Sequence, residues 1–338
     1  MNGTAALWAA YRLRWRRRFL LARSFARHAR LLPRIDRTGF IRDGAILVFA
    51  TVRNELARLP GFLTHHRDLG VDHFLIVDNA STDGATPFLA DQSDVSLWST
   101  DDGYRDARFG VDWLTCLQAR YGHGHWCLTL DADELLIYAH HESRDLRALT
   151  DWLDLTGRPA MGALMLDLYP GGSLNAPGRS TDPLDHLTWF DAGNYVTTRH
   201  PDRRELRIQG GPRARAFFAD DPRRAPTLSK VPLVRWNRRY AYIASTHALL
   251  PPRLNEVYAT DGGETPTGAL LHTKFLPDIG VRSAEELSRR QMRADPDLYD
   301  DYYEALCAGP TLWHPTSTRY EGWRQLEALG LMSRGGWE

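Results

Sequence analysis

From Ala45 onward the chain repeats one pattern, and that pattern limits its fold more than any other feature. "AILVFATV" is a short and almost wholly apolar run, and "ELARLPGFLTHHRDLG" after it has helical spacing closed by Gly70. The pair recurs as "HFLIVDN" with the turn "ASTDG" and the short helix "TPFLADQ", then as "VSLWST" with "ARFGVDWLTCLQARYG", and reaches "WCLTLDADE". Strands without polar alternation must be covered on both faces, and their alternation with helices predicts βαβ units in an α/β, mostly parallel sheet. In such sheets ligands gather beyond the carboxyl ends of the strands. Those ends here read "TVRNE", "DNASTD", "STDDG" and "DADE", four polar tips expected along one edge.

The last tip places Asp131, Asp133 and Glu134 within four positions. At about 6 Å and an effective dielectric of about 20, two such charges repel by roughly 3 kcal/mol. Solvent, a basic partner or a metal ion must offset that. A strand alternates its side chains, so at the end of this one Asp131 and Asp133 are expected to point the same way, roughly 7 Å apart. Two carboxylates so placed suit Mg²⁺ or Mn²⁺, which bind through one or two carboxylates plus substrate phosphates. A solvated turn or a helix start are the plainer alternatives.

Taken together, "ILVFATVRNE", "LGVDHFLIVDNASTDG" and "WCLTLDADE" resemble the family 2 glycosyltransferases of the GT-A fold, a Rossmann-like sheet flanked by helices, over about residues 45 to 140. "GGPRARAFF", "KVPLVRW", "STHALLP" and "LLHTKFL" are similar to a bacterial branch of that family. The resemblance implies a nucleotide-diphosphate sugar donor, a divalent metal (Mn²⁺ or Mg²⁺) and transfer with inversion. Carried onto this chain, it makes Asp133 the metal ligand and Asp131 the contact to ribose or metal-bound water. Asp78 would receive a hydrogen bond from the base. Asn79 and Ala80 stand where the family often has an acid and a glycine, and Thr51, Arg53 and Glu55 where it wraps the nucleoside. Arg53 and Glu55 also fit a plain ion pair at a helix start.

A histidine from the second half often joins the metal in such enzymes, and His247 in "STH" and His272 in "LLHTK" are the candidates. If "LLHTKFL" is a strand, His272 and Lys274 share a face. Lys230 and Lys274 are the only lysines in the chain; either they are chance retentions, or they mark places, such as contacts to the donor's phosphates, where a compact charge serves better than a planar guanidinium. For the acceptor's base, Asp167 in "MLDLYP" comes first and Asp191 in "WFDAGNY" second. His65 and His66 read as structural.

The expected organisation is a basic amphipathic segment and linker (1–44), a nucleotide-sugar half (45–170), an acceptor-side half with a smaller mixed sheet (171–282) and C-terminal helices (283–338). "KVPLVRW", "YAYIAST" and "ALLHTKFL" are the expected strands of that smaller sheet. In the first segment Leu7, Trp8, Tyr11, Trp15, Phe19, Ala22 and Ala26 fall on one side of a helix and arginines mostly opposite. Its apolar side either packs on the protein or lies on an anionic membrane through residues 1–30.

Acidic and basic residues balance at 42 each, so no global field points to nucleic acid. Three cysteines without metal spacing suit a reducing compartment. No apolar run approaches the roughly 20 residues of a membrane span, and no signal peptide is read. The expectation is a cytoplasmic enzyme, peripheral on the inner face of the plasma membrane, acting on a glycan or lipid-linked acceptor. Two alternatives remain open: a sugar-phosphate nucleotidyltransferase, for which "TVRNELARLPG" lacks a glycine-rich loop, and a catalytically silent glycan- or membrane-binding module.

Overall fold

A computed structural model describes residues 3–176, 182–259, 264–289 and 296–338. The predicted alternation is present. After α1 (Gly3–His28) and β1 (Leu32–Ile35), the chain runs β2 (Ile46–Val52), α2 (Leu59–Asp68), β3 (His73–Asp78), α3 (Ala85–Ala90), β4 (Val95–Ser99), α4 (Val111–Tyr121) and β5 (Trp126–Thr129). It continues through β6 (Glu134–Ile137), α5 (Leu146–Leu155), β7 (Ala160–Asp167), α6 (Pro183–His186), β8 (Trp189–Phe190), β9 (Val196–His200), β10 (Glu205–Gln209), α7 (Gly211–Phe217) and β11 (Ser229–Arg235). Last come β12 (Ala241–Ala244), β13 (Ala248–Leu250), β14 (Thr267–His272), α8 (Ile279–Arg289), α9 (Pro296–Cys307), β15 (Thr318–Arg319) and α10 (Trp323–Ala328).

Nine strands form one sheet in the order β1-β4-β3-β2-β5-β11-β7-β14-β6. Strands β2, β3, β4, β5, β7 and β14 share a direction, and β1, β11 and β6 oppose it. The series β4-β3-β2-β5 is the Rossmann-like order, and chain order reverses between β2 and β5. At such a switch point the loops leaving the two strands diverge to opposite faces and leave a crevice. The tips of β2 and β5 flank that crevice here.

Three expectations about the sheet are corrected. Strands β11 and β14 belong to the main sheet, so only "YAYIAST" of the three predicted segments lies in a small separate one, where β12 pairs with β13. The linker around "LLPRID" contains β1, an antiparallel edge strand on β4. Its Pro33 and charged neighbours suit an edge, where a missing amide costs no ladder bond. Finally, β5 ends at Thr129, and Asp131 and Asp133 sit in the reversal before β6 rather than along a strand. The predicted helix "AEELSRRQM" ends in residues outside the described ones.

Apolar side chains alternate between two layers, as the strand period requires. Ile46, Val48, Ala50 and Val52 pack with Phe62, Leu63, Leu89 and Leu149, whereas Leu47 and Phe49 pack with Trp113, Leu114 and Leu117 of α4. Where α4 begins, Gly110 has φ +77°, and a Cβ there would stand 2.7 Å from Thr51 Oγ1. Only glycine fits, because the helix start presses on the tip of β2.

His65 and His66 join α2 to β6. His65 Nε2 donates to the Leu136 carbonyl at 2.7 Å. His66, fully buried, donates from Nδ1 to the Phe62 carbonyl at 2.8 Å, and its Nε2 accepts from the Leu136 amide at 3.4 Å. Burial, and then the neighbouring His65, hold the His66 imidazole well below its ordinary pKa. Protonation would put an N–H against an N–H, so the native state takes up this proton later than the unfolded chain does. Stability is therefore complete above the ordinary histidine range and is lost as pH falls below it. Denaturant unfolding at neutral pH and at about pH 5 should show that loss, and His66→Gln should shrink it; an unchanged pH dependence would contradict this.

Candidate active site

At the sheet edge where β2, β5, β7 and β14 end lies a cavity of about 500 Å³, within the size range of small-molecule sites. Thr51, Arg53 and Glu55 line it from the end of β2, Asp131 and Asp133 from the reversal after β5, and Lys230, His272 and Lys274 from β11 and β14. Arg213 enters from α7, Tyr104 and Phe109 from the loop before α4, Arg282, Ser283 and Glu286 from α8, and Tyr299, Tyr302 and Tyr303 from α9.

Two cations separate the crowded carboxylates. Lys230, with a side chain 3% exposed, reaches Asp131 at 2.8 Å and also pairs with the buried Glu134. Against the cost of burial, these acids raise its pKa, so the ammonium stays charged. His272 Nε2 faces Asp133 Oδ2 at 3.2 Å, and Nδ1 bonds Asp167 at 2.5 Å. Burial alone would lower the imidazole's pKa, but Asp133 and Asp167 raise it. Burial alone would lift Asp133, which His272 and then Arg58 and Arg282 hold well below the carboxylate range. Asp167 is closed off by Arg213 Nε at 2.7 Å.

Several predicted residues hold other places than expected. Asp167 has no exposed side-chain surface and lies off the cavity wall. Arg213 and His272 overcome its burial and bring it to about 2, and their bonds occupy the oxygens that a base for the acceptor would use. Asp191 is also off the wall, held by Arg215 at 2.8 and 3.0 Å and by the Tyr169 hydroxyl. Asp78 is turned into its own loop, where Ser81 and Thr86 donate to its two oxygens, and it faces no ligand space. Asn79 reaches the cavity but donates to the carbonyls of Thr100 and Asp102. Ala80 has φ +56°, the left-handed conformation a glycine holds without strain.

Arg53 and Glu55 make no helix-start pair with each other. Arg53 donates to the Asn79 carbonyl at 2.6 Å, and Glu55 is bound by Arg282 at 2.9 Å and Arg58 at 3.4 Å. His247 reaches the cavity and bonds the Ser229 carbonyl through Nδ1 at 2.8 Å; burial and Lys230 lower its pKa to about 4, so it is neutral. Among the described residues no three His, Cys, Asp or Glu side chains form a ready metal cage. Asp131 is therefore a partner of Lys230, and only Asp133 and His272 stand as an acid–imidazole pair open to the cavity.

Among the described residues, five buried atoms of the cavity lining have no protein partner: Thr51 Oγ1, Arg53 Nε, Arg213 Nη2, Ser283 Oγ and Tyr302 Oη. Each such group costs about 1–3 kcal/mol until something bonds it. Lys274 adds a cation without an acidic partner among the described residues, its ammonium 5.9 Å from the rings of Tyr302 and Tyr303. Burial and the like charges of Arg213 and Arg282 push it down to about 8. An anion placed among these three would relieve that crowding. Sequence reasoning missed Arg282 and the tyrosines because they stand on helices read as a tail. Their signal was spacing: Ile279, Arg282, Ser283 and Glu286 share one helical face, as do Tyr299, Tyr302 and Tyr303.

No family model and no curated protein matches the sequence. Among solved structures, the chain is similar to a candidate glucose-1-phosphate thymidylyltransferase from Bacillus anthracis, at 8% identity over 78% of this chain and 83% of that one, with a TM-score of 0.29. It is also similar to a UDP-glucose pyrophosphorylase from Acinetobacter baumanii, at 8% identity over 40% of this chain and 60% of that one, with a TM-score of 0.24. A third likeness, to 4-diphosphocytidyl-2C-methyl-D-erythritol synthase, has 11% identity over 86% and 98% of the two chains and a TM-score of 0.26. Likenesses this distant decide nothing about activity, and the reading of the site rests on its own geometry.

The two lysines should behave oppositely. Lys230→Met leaves Asp131 and Glu134 facing each other and should cost about 3–5 kcal/mol in denaturant unfolding. Lys274→Met removes a cation that its neighbours oppose and should leave stability within about 1 kcal/mol. Equal losses would contradict the assignment.

Proposed function

We propose that this cavity binds a nucleotide-diphosphate sugar together with Mn²⁺ or Mg²⁺, and transfers the sugar with inversion to a hydroxyl of a glycan or lipid-linked acceptor. The observation that carries the reading is the meeting of Arg213, Lys274 and Arg282 with the Asp133–His272 pair in one cavity at the switch point. Three cations fit a diphosphate, and a carboxylate with an imidazole fits two positions of a hard cation whose other ligands are phosphate oxygens and water. The hydrogen bond from His272 to Asp167 orients the ring, as carboxylates do behind metal-binding histidines.

When bound, the cation supplies positive charge against the leaving diphosphate. Arg213 and Lys274 add to it, and their charges are aimed before the reaction begins, which is when such stabilisation is most effective. Tyr104 and Phe109 form an apolar wall that limits water. Asp167 and Asp191 are off the wall; it carries Glu285, which faces Arg53 at 3.5 Å, and Glu286, both of α8, and the acceptor's proton is assigned to one of these two. Asp131, half exposed at the rim, is assigned to the donor's ribose.

A panel of nucleotide sugars with Mn²⁺, read by chromatography of the released nucleotide, tests the reading. Release of nucleoside diphosphate is expected, and Asp133→Ala should lower it by more than about a hundredfold in protein still folded at the assay temperature, a greater loss than removal of an outer partner. Asp167→Asn should cost about ten- to a hundredfold through His272. Unchanged turnover in Asp133→Ala would reject the metal site. Pyrophosphate released from a nucleoside triphosphate and a sugar 1-phosphate, with no nucleoside diphosphate released from the nucleotide sugars, would identify a sugar-phosphate nucleotidyltransferase instead.

A further inference from the structure

Helix α1 is held by one side. Leu20 is buried with Ala241, Ile243, Ala248 and Leu250, and Leu13 and Leu21 pack beside it. Ser24 and Arg23 reach Asp112 of α4 at 3.1 and 2.7 Å, and Arg27 reaches Asp102 at 2.6 Å. The other side carries Trp8, Tyr11, Trp15 and Phe19, exposed by 68, 51, 51 and 65%. Of the two fates open to this aromatic face, packing on the protein is thereby excluded. Four large aromatic side chains in one exposed row mark a surface that meets something apolar.

The charge around the row is uncompensated. Arg12, Arg14, Arg16 and Arg18 flank it, and among the described residues none has an acidic partner; Arg18 instead lies 5.1 Å over the Trp15 ring. Neighbouring elements add to the charge. Arg239 stands near Arg17, whereas Arg108 and Arg203 near Arg16 are themselves paired with Asp112 and Glu205. Partial burial and these like charges lower both guanidinium pKa values. Two copies meeting row to row would bring their arginines together, so the charge pattern disfavours self-association and calls for an anionic, partly apolar partner. A lipid surface with anionic headgroups supplies both, since aromatic rings settle at the headgroup level and arginines beside them bind phosphate. Among the described residues no helix is long and apolar enough to cross a membrane, which leaves attachment in the interface plane.

We propose that α1 seats the protein on an anionic membrane, with Trp8, Tyr11, Trp15 and Phe19 entering the headgroup–acyl boundary and the flanking arginines meeting lipid phosphates. The loop that anchors α1 through Asp102 also carries Tyr104 and Phe109, so the attached helix lies beside the cavity wall. The proposal does not depend on the catalytic reading, and its test uses no activity.

Flotation of the full chain with vesicles of equimolar phosphatidylglycerol and phosphatidylcholine should show binding about a hundredfold tighter than to phosphatidylcholine alone, weakening as salt is raised. The combined Trp8→Ser, Trp15→Ser and Phe19→Ser variant should lose binding at an unchanged melting temperature, because these side chains contact solvent. Leu155→Ser, at a position 87% exposed on α5, should bind as the parent does. Arg12→Gln and Arg14→Gln should each weaken binding about fivefold, which keeps the test open if the triple variant fails to fold. Absence of binding, equal binding to both vesicles, or a doubling of mass in solution that the triple variant abolishes would overturn the proposal.

Discussion

Three carboxylates where a buried strand ends can persist only if cations stand between them, and the architecture around the cavity follows from that requirement. Lys230 reaches Asp131 and Glu134 because β11 runs antiparallel between β5 and β7 and begins at this edge. His272 reaches Asp133 and Asp167 because β14 runs parallel to β7 in a register that pairs His272 with Asp167. The second half of the sequence thus supplies the charges that the first half lacks. A single continuous sheet is the means by which it does so.

The same interactions sort the site into two classes. Lys230, Glu134, Asp167 and Arg58 are paired with protein and resolve the repulsion internally. Among the described residues Arg213 Nη2, Ser283 Oγ and Tyr302 Oη have no hydrogen-bond partner around an open volume, and Lys274 beside them meets the rings of Tyr302 and Tyr303. Groups of the first class hold the fold, whereas those of the second are the ones the proposed function gives to the donor's diphosphate. Helix α1 shows the same division on the outside of the molecule. Arg23 and Arg27 pair with Asp112 and Asp102, and the arginines beside the aromatic row do not.

The strands from Ile46 to Thr129 were legible because an apolar run without polar alternation has few structures open to it. So was the edge that would carry the site. Strands β11 and β14 could also be read as strands, but nothing local states which sheet a strand joins, and they were assigned to a separate one. Side-chain direction at Asp131 and Asp133 was misread because the chain reverses there, and the two-residue alternation ends with β5. Asp167 was placed at the right strand end, yet its register with His272 turns it away from the cavity. Arg282 and the α9 tyrosines needed tertiary placement, since a helix face lining a cavity and one covering a core share the same spacing.

On the proposed function, Asp133 and His272 hold a divalent cation only together with a nucleoside diphosphate, whose phosphates complete its shell. Electron paramagnetic resonance of free Mn²⁺ tests it directly. The protein should diminish the free-ion signal far more with a nucleoside diphosphate present than protein or nucleotide does separately, and Asp133→Asn should abolish the excess. A cation bound equally well without nucleotide, or an excess that survives Asp133→Asn, would contradict it.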